Sequence, residues 1–203
     1  MKNALLKIIG QERCKRWLRG IGYDYREWAR VVMYERLFAF LRQQDAARLE
    51  ACEISGGGIW KNSFQFATYT NLAYPDFDVC KDPFPKDYDL IIADQVFEHL
   101  THPHRALQHV YNALRRGGYF IIATPFLLRV HNYPIDCCRW TETGLKYFMQ
   151  EGGFSADSIV TGSWGNRSCV RANLSKWARR GFLGSLKNEV NYPVVVWAIA
   201  RKT

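Results

Sequence analysis

The chain has 203 residues, 48% of them apolar, and a formal net charge of +9. That length fits one domain, and that apolar share supplies a core and excludes a disordered chain. No apolar run reaches the roughly 18 to 20 residues of a membrane span, and the opening "MKNALLKIIGQERCKRWLRG" lacks a long apolar stretch and a small-residue cleavage site, so a soluble, cytoplasmic protein is expected.

In chain order, the first clear element is residues 24–42, "DYREWARVVMYERLFAFLR". Trp28, Val31, Val32, Leu37, Phe38 and Leu41 stand near helical spacing there, with Asp24 as a candidate cap. An N-terminal helical region over residues 1–47 is expected to pack on a core of residues 48–203, the whole forming one domain. "RLEACEIS" (48–55) reads as a short strand that runs into three glycines, Gly56, Gly57 and Gly58. "YTNL" (69–72) reads as a second strand. In "DYDLIIADQVFEHL" (87–100), Leu90, Ile91, Ile92 and Ala93 form the continuous apolar run of a strand covered on both faces.

Residues 103–116 place Leu107, Val110, Tyr111 and Leu114 at helical spacing, and Gly117 and Gly118 are read as the stop. "YFIIATP" (119–125) is a further buried strand. "TETGLKYFMQEGGF" (141–154) is a helix capped by Thr141 or Thr143 and ended by Gly152 and Gly153. "DSIVTGSW" (157–164) and "YPVVVWAIARK" (192–202) read as the closing strands. This alternation predicts an α/β fold with a mainly parallel sheet and helices on both faces. Ligands of such sheets bind at the carboxyl ends of the strands, so the loops after Ile54, Ala93 and Ala123 are expected to line one crevice.

Charge is uneven along the chain: residues 1–48 carry +6, residues 49–163 carry −4 and residues 164–203 carry +7. The basic flanks are either a solvated surface or a face for nucleic acid, anionic lipid or an acidic partner. The six cysteines form no CxxC pair and are read as free thiols of a reducing compartment.

The glycine loop has no Lys-Ser or Lys-Thr ending, so it is not a P-loop, and it does not fit GxGxxG. Alone it is either a tight turn or a backbone platform for a ligand. His99 either fixes its loop or serves as a base. In "PFLLRVHNYPIDCCRWT" (125–141), His131 and Asp136 are a candidate base and orienting carboxylate, with Tyr133 beside them and Arg139 a candidate acceptor contact; alternatively Asp136 and Arg139 pair to brace the loop. His99, His102, His104 and His109 fit no common zinc spacing, and no metal is expected. In residues 163–193, Trp164, Asn166 and Arg167 are candidate acceptor contacts, against the alternative of a basic amphipathic helix that turns Leu174 and Trp177 inward.

Taken in order, "LEACEISGGG", "FDVCKDPFPKDYDLIIADQVFEHL", "RALQHVYNALRRGGYFIIATP" and "GLKYFMQEGGF" resemble the class I S-adenosylmethionine-dependent methyltransferases, in particular their short type 11 branch, over roughly residues 48–160. "HNYPIDCCRWT" is similar to a signature of that branch. The resemblance implies a Rossmann-like doubly wound sheet of seven strands with an antiparallel last strand, which "YPVVVWAIARK" fits. It implies that Glu53 faces the amino-acid end of the cofactor, that Gly56 and Gly57 lie beneath it with Ser55 beside them, that Asp78 and Val79 meet the adenine, and that Asp94 and Gln95 stand at the methyl-donating end.

Three departures from the family pattern stand out. Ser55 and Ile59 occupy positions usually held by glycine. The acid that grips the ribose is absent near Asn71, leaving Asp76 as the nearest carboxylate. Only residues 73–88 separate two strands, too few for a crossover helix and a further strand, so the sheet is expected to be pruned at its second and third strands. The expected activity is methyl transfer from S-adenosylmethionine to an oxygen or nitrogen of a small polar acceptor. The alternatives are a degenerate fold serving as a binding or scaffold protein, and a nucleic-acid methyltransferase that uses the basic flanks.

Overall fold

The computed structural model describes residues 13–14, 17–18, 20–21 and 23–203. The reading of the opening stretch and the first part of the expected 1–47 region therefore fall largely outside the described residues. In order, the elements are β1 (Asp24–Glu27), α1 (Val31–Arg42), β2 (Glu50–Ile54), α2 (Ile59–Ser63), β3 (Thr68–Leu72), β4 (Tyr88–Asp94), α3 (Pro103–Ala113), β5 (Leu114–Pro125), α4 (Glu142–Glu151), β6 (Ile159–Trp164), α5 (Arg167–Ala172), β7 (Arg179–Gly181) and β8 (Val195–Arg201).

Six strands form one sheet in the order β3-β2-β4-β5-β8-β6. β3, β2, β4 and β5 run parallel, and β8 inserts antiparallel between β5 and β6. Alternate residues of the central strands supply two cores. Cys52, Ile54, Ile91, Ala93, Phe120 and Ile122 face α3 and α4, which contribute Leu107, Val110, Leu145, Phe148 and Met149. Ala51, Leu90, Ile92, Ile121 and Ala123 face the other side, where α1 and α2 place Met33, Leu37, Leu41 and Trp60. The continuous apolar runs arise because each central strand is covered twice. This is the doubly wound α/β sheet with an antiparallel last strand.

The pruned edge has a direct cause in chain length. β3 is the edge strand, and the chain returns from it to β4 through residues 73–87 without a helix or strand. Among the described residues the sheet thus has six strands rather than seven.

Local expectations changed in three places. Asp24 does not cap a helix: β1 pairs with β7, its carboxylate takes Arg26 and Arg180, and the α-helix begins only at Val31. α3 ends at Ala113, because Leu114 already pairs with Tyr88; Gly117 and Gly118 lie within β5 rather than ending a helix. The helix of residues 163–193 is only the six-residue α5, followed by the short β7, and Leu174 is exposed rather than turned inward. Among the described residues no helix is long and apolar enough to cross a membrane.

Candidate active site

β2 delivers Glu53 to its carboxyl end, where the side chain is 1% exposed. The glycines follow for two different reasons. A Cβ on Gly56 would stand 2.2 Å from the Glu53 carboxyl carbon, so only glycine leaves room for the acid. Gly58 takes φ +83°, a left-handed turn that starts α2. A Cβ on Gly57 would meet nothing within 4 Å, so that position is open above the loop.

The strand ends are fastened sideways. Ser55 adopts φ 52°, and its amide donates to the Leu72 carbonyl at 2.8 Å, joining β2 to β3. Gln95 adopts φ 59°, and its amide donates to the Ala123 carbonyl at 2.8 Å, joining β4 to β5. Left-handed backbone at non-glycine residues carries strain and concentrates at functional sites. Asn71 stands where the family places the ribose-binding acid, but its side chain is turned back: Oδ1 accepts from the Gly56 amide at 2.8 Å.

Asp94 closes β4. Tyr34 of α1 and Trp60 of α2 donate to its Oδ2 at 2.8 and 3.1 Å. Its buried Oδ1 has no partner. Burial pushes the Asp94 carboxyl up, with Arg30 and these two donors opposing. Burial, and then the Asp94 carboxylate, push Glu53 up to about 7. Sequence reasoning missed Arg30, Tyr34 and Trp60, which lie far from Asp94 along the chain.

Beyond β4, residues 97–99 form a 3-10 turn, and Glu98 is wholly buried. The 125–141 loop docks on this turn: the Cys137 and Cys138 amides donate to the Glu98 carbonyl at 2.7 and 3.1 Å, and His99 Nδ1 bonds the Ile135 carbonyl. His131 and Asp136 do meet, with Nδ1 to Oδ2 at 3.2 Å, and the His131 amide donates to the same oxygen at 2.8 Å. Arg139 also forks onto both Asp136 oxygens, so the dyad and the brace coexist on one carboxylate. Burial works against the Asp136 charge, yet Arg139 and the His131 amide hold its carboxyl below the ordinary value. Burial lowers His131, against the pull of Asp136. Burial pushes Glu98 up to about 8. Glu98 was another residue that sequence reasoning passed over, though it adjoins His99 in "VFEHL".

Other candidates lie elsewhere. Tyr133 is 88% exposed and stands outside the cluster. Trp164 is core, donating to the Leu186 carbonyl at 3.0 Å. Asn166 caps α5 and ties down the Ser185 and Lys187 carbonyls, and Arg167 pairs with Glu189 at 2.7 Å. Those three serve the 163–193 segment internally because that segment has little regular structure to satisfy its backbone. Trp177 instead reaches the cluster, with its ring 5.3 Å from that of His131 and the Arg129 guanidinium 4.3 Å from the Trp177 ring. Asp78 accepts from the Cys80 amide at 3.0 Å and pairs with Lys81, the Val79 carbonyl accepts from His109, and Asp76 is exposed.

Among the described residues, six of the eight buried side-chain polar atoms without partners belong to Glu53, Asp94, Gln95, Glu98 and Thr124. All of these stand at the carboxyl ends of β2, β4 and β5 or in the turn just beyond. Buried polar groups are nearly always paired, so this concentration sets the strand ends apart from the rest of the described core.

A family model described as a methyltransferase domain matches residues 4–158. No curated protein matches the sequence. Among solved structures, an S-adenosylmethionine-dependent methyltransferase from Mesorhizobium loti is 13% identical, with a TM-score of 0.55, over 83% of this chain and 97% of its own. A possible histamine N-methyltransferase from Thermotoga maritima is 15% identical, with a TM-score of 0.57, over the full length of both chains. Phosphoethanolamine N-methyltransferase 2 from Haemonchus contortus, in complex with S-adenosyl-L-methionine, is 11% identical, with a TM-score of 0.54, over 83% of this chain and 52% of its own. At these identities the likeness is one of fold.

Proposed function

The chain belongs to the methyltransferase domain family and takes its methyl group from S-adenosylmethionine, and we propose that it passes that group to an oxygen or nitrogen of a small polar acceptor such as a sugar or specialised metabolite. The observation that carries this reading is the row of unpartnered buried polar atoms at the strand ends. Glu53 and Asp94 give the crevice an acidic floor, which suits a cofactor that carries an ammonium and a sulfonium. In this reading Glu53 takes the ammonium, Gly56 and Gly57 underlie the cofactor with Ser55 beside them, Asp94 and Gln95 stand near the methyl-donating end, and Asp76, Asp78 and Val79 border the adenosine. Residues 48–203 form the cofactor-binding part of one domain, to which the N-terminal region lends Arg30 and Tyr34.

Methyl transfer needs the sulfur, the methyl carbon and the nucleophile held in line, and a proton acceptor only when the nucleophile carries a proton. His99 and His131, with Asp136 as the orienting carboxylate, are the groups proposed to receive that proton, and Arg139 holds Asp136 in place. Two of the similar proteins are named for small amine acceptors, phosphoethanolamine and histamine, which supports an acceptor of that size.

The test is calorimetric titration with S-adenosylhomocysteine, followed by a product-release assay on hydroxylated and amine small molecules, with RNA and DNA as competing acceptors. Binding and transfer to a small molecule are expected. An absence of heat at millimolar S-adenosylhomocysteine, or transfer to nucleic acid in preference, overturns the proposal.

A further inference from the structure

Glu98, His99 and His131 come from two separate segments, yet a carboxylate oxygen and one nitrogen of each ring lie within 4.8 Å of one another. Glu98 Oε1 is 3.6 Å from His99 Nε2 and 3.9 Å from His131 Nε2. The other nitrogen of each ring is already engaged. His99 Nδ1 meets the Ile135 carbonyl, and His131 Nδ1 meets Asp136 Oδ2 at 3.2 Å, nearer than Arg139 Nη2 at 3.5 Å. A carbonyl and a carboxylate can only accept, so each Nδ1 carries the proton and each Nε2 presents a bare lone pair. Glu98 is 0% exposed, and neither of its oxygens has a hydrogen-bond partner.

Two lone-pair nitrogens and an orphaned buried carboxyl therefore converge, and the one donor available among them is a proton on Glu98, whose Oε1 stands 3.6 and 3.9 Å from the two rings, beyond hydrogen-bond reach. A metal ion that displaces such a proton can join all three groups at once. Ligand atoms held at about 2.0–2.1 Å from a tetrahedral metal stand roughly 3.3 Å apart, a few tenths of an ångström inside the Glu98–histidine separations found here. Backbone carbonyls and carboxylates on the far ring nitrogen are the usual outer partners of metal-bound histidines, and both kinds are present.

We propose that Glu98, His99 and His131 bind one divalent first-row transition-metal ion through the carboxylate and the two Nε2 atoms, with Asp136 and the Ile135 carbonyl fixing the rings. Three protein ligands leave positions open. The imidazole side chains are 16% and 17% exposed, so one face of the ion meets solvent. The binding stands by itself. Only its consequence rests on the methyl-transfer reading: the histidines accept the proton in the metal-free chain, whereas with the ion bound they are ligands, and an acceptor oxygen on the open position is made acidic enough to release its proton to solvent water.

The test uses the full chain stripped with a chelator, then titrated with zinc by calorimetry and with cobalt(II) by visible absorption. One ion per chain is expected, with cobalt bands of nitrogen and oxygen ligation. Glu98→Gln, His99→Gln and His131→Gln are each expected to weaken zinc at least tenfold, with circular dichroism reporting whether each is folded. His104→Gln and the double variant Cys137→Ser/Cys138→Ser are expected to retain it. Failure of the folded wild-type chain to hold zinc overturns the proposal, as does loss of binding only in the cysteine variant or undiminished binding by Glu98→Gln. S-adenosylhomocysteine titrated into the metal-free chain reads the methyl-transfer proposal separately.

Discussion

Glu53 makes cofactor binding sensitive to pH in a calculable way. Its carboxyl titrates near pH 7 in the free protein because burial, and then Asp94, oppose its charge. An ammonium placed about 4 Å away contributes about 4 kcal/mol at an effective dielectric of 20, worth about three pKa units. The bound form is therefore ionised at neutral pH, and binding expels the proton. With a free-state value of about 7, the ionised fraction falls from about one half at pH 7 to about one in eleven at pH 6, so affinity for S-adenosylhomocysteine falls about fivefold. Proton release rises over the same step from about 0.5 to about 0.9 per ligand. Calorimetry at both pH values, in two buffers of different ionisation heat, reads affinity and proton release together. Glu53→Gln is expected to remove the Glu53 share of both. Equal affinities with no buffer-dependent heat, or a slope that survives in Glu53→Gln, refute the reasoning.

The same shift has a consequence for stability, with a definite sign. A carboxyl raised from 4.5 to about 7 on folding contributes stability that is fully present below pH 4.5 and is lost as pH rises through 7. Glu53→Gln is thus expected to be more stable than the wild type at pH 8, by on the order of 3 kcal/mol more than at pH 4, in urea denaturation of the ligand-free chain. Gly56→Ala, whose Cβ would overlap the Glu53 carboxylate, is expected to weaken S-adenosylhomocysteine at least tenfold. Gly57→Ala, with open space around its Cβ, is expected to change stability by less than about 0.5 kcal/mol in the same denaturation series. Tyr34→Phe removes the 2.8 Å donor to Asp94 and is expected to cost about 1–3 kcal/mol, because the carboxylate stays buried with Trp60 as its one remaining hydrogen-bond donor.

The layered core and the succession of its main strands along the chain were legible in the sequence. "LIIA" and "FIIA" are apolar without alternation because both faces of those strands are covered, and period alone carries that information. The pruned edge was legible from the short span between two strands, since chain length limits what a crossover can contain. Glu53 and the glycines could be found because their relation is local, within four residues. Tertiary structure decided the rest. Tyr34 and Trp60 reach Asp94 across 60 and 34 residues, and no periodicity encodes such a meeting. Asn166 and Trp164 are candidate acceptor contacts in the sequence, yet an irregular segment folds back on them and takes their hydrogen bonds. Glu98 looks in sequence like an ordinary surface acid beside a histidine. It is buried in a turn on which the 125–141 loop docks through the Cys137 and Cys138 amides, and burial without a partner is a property of packing that no residue carries alone.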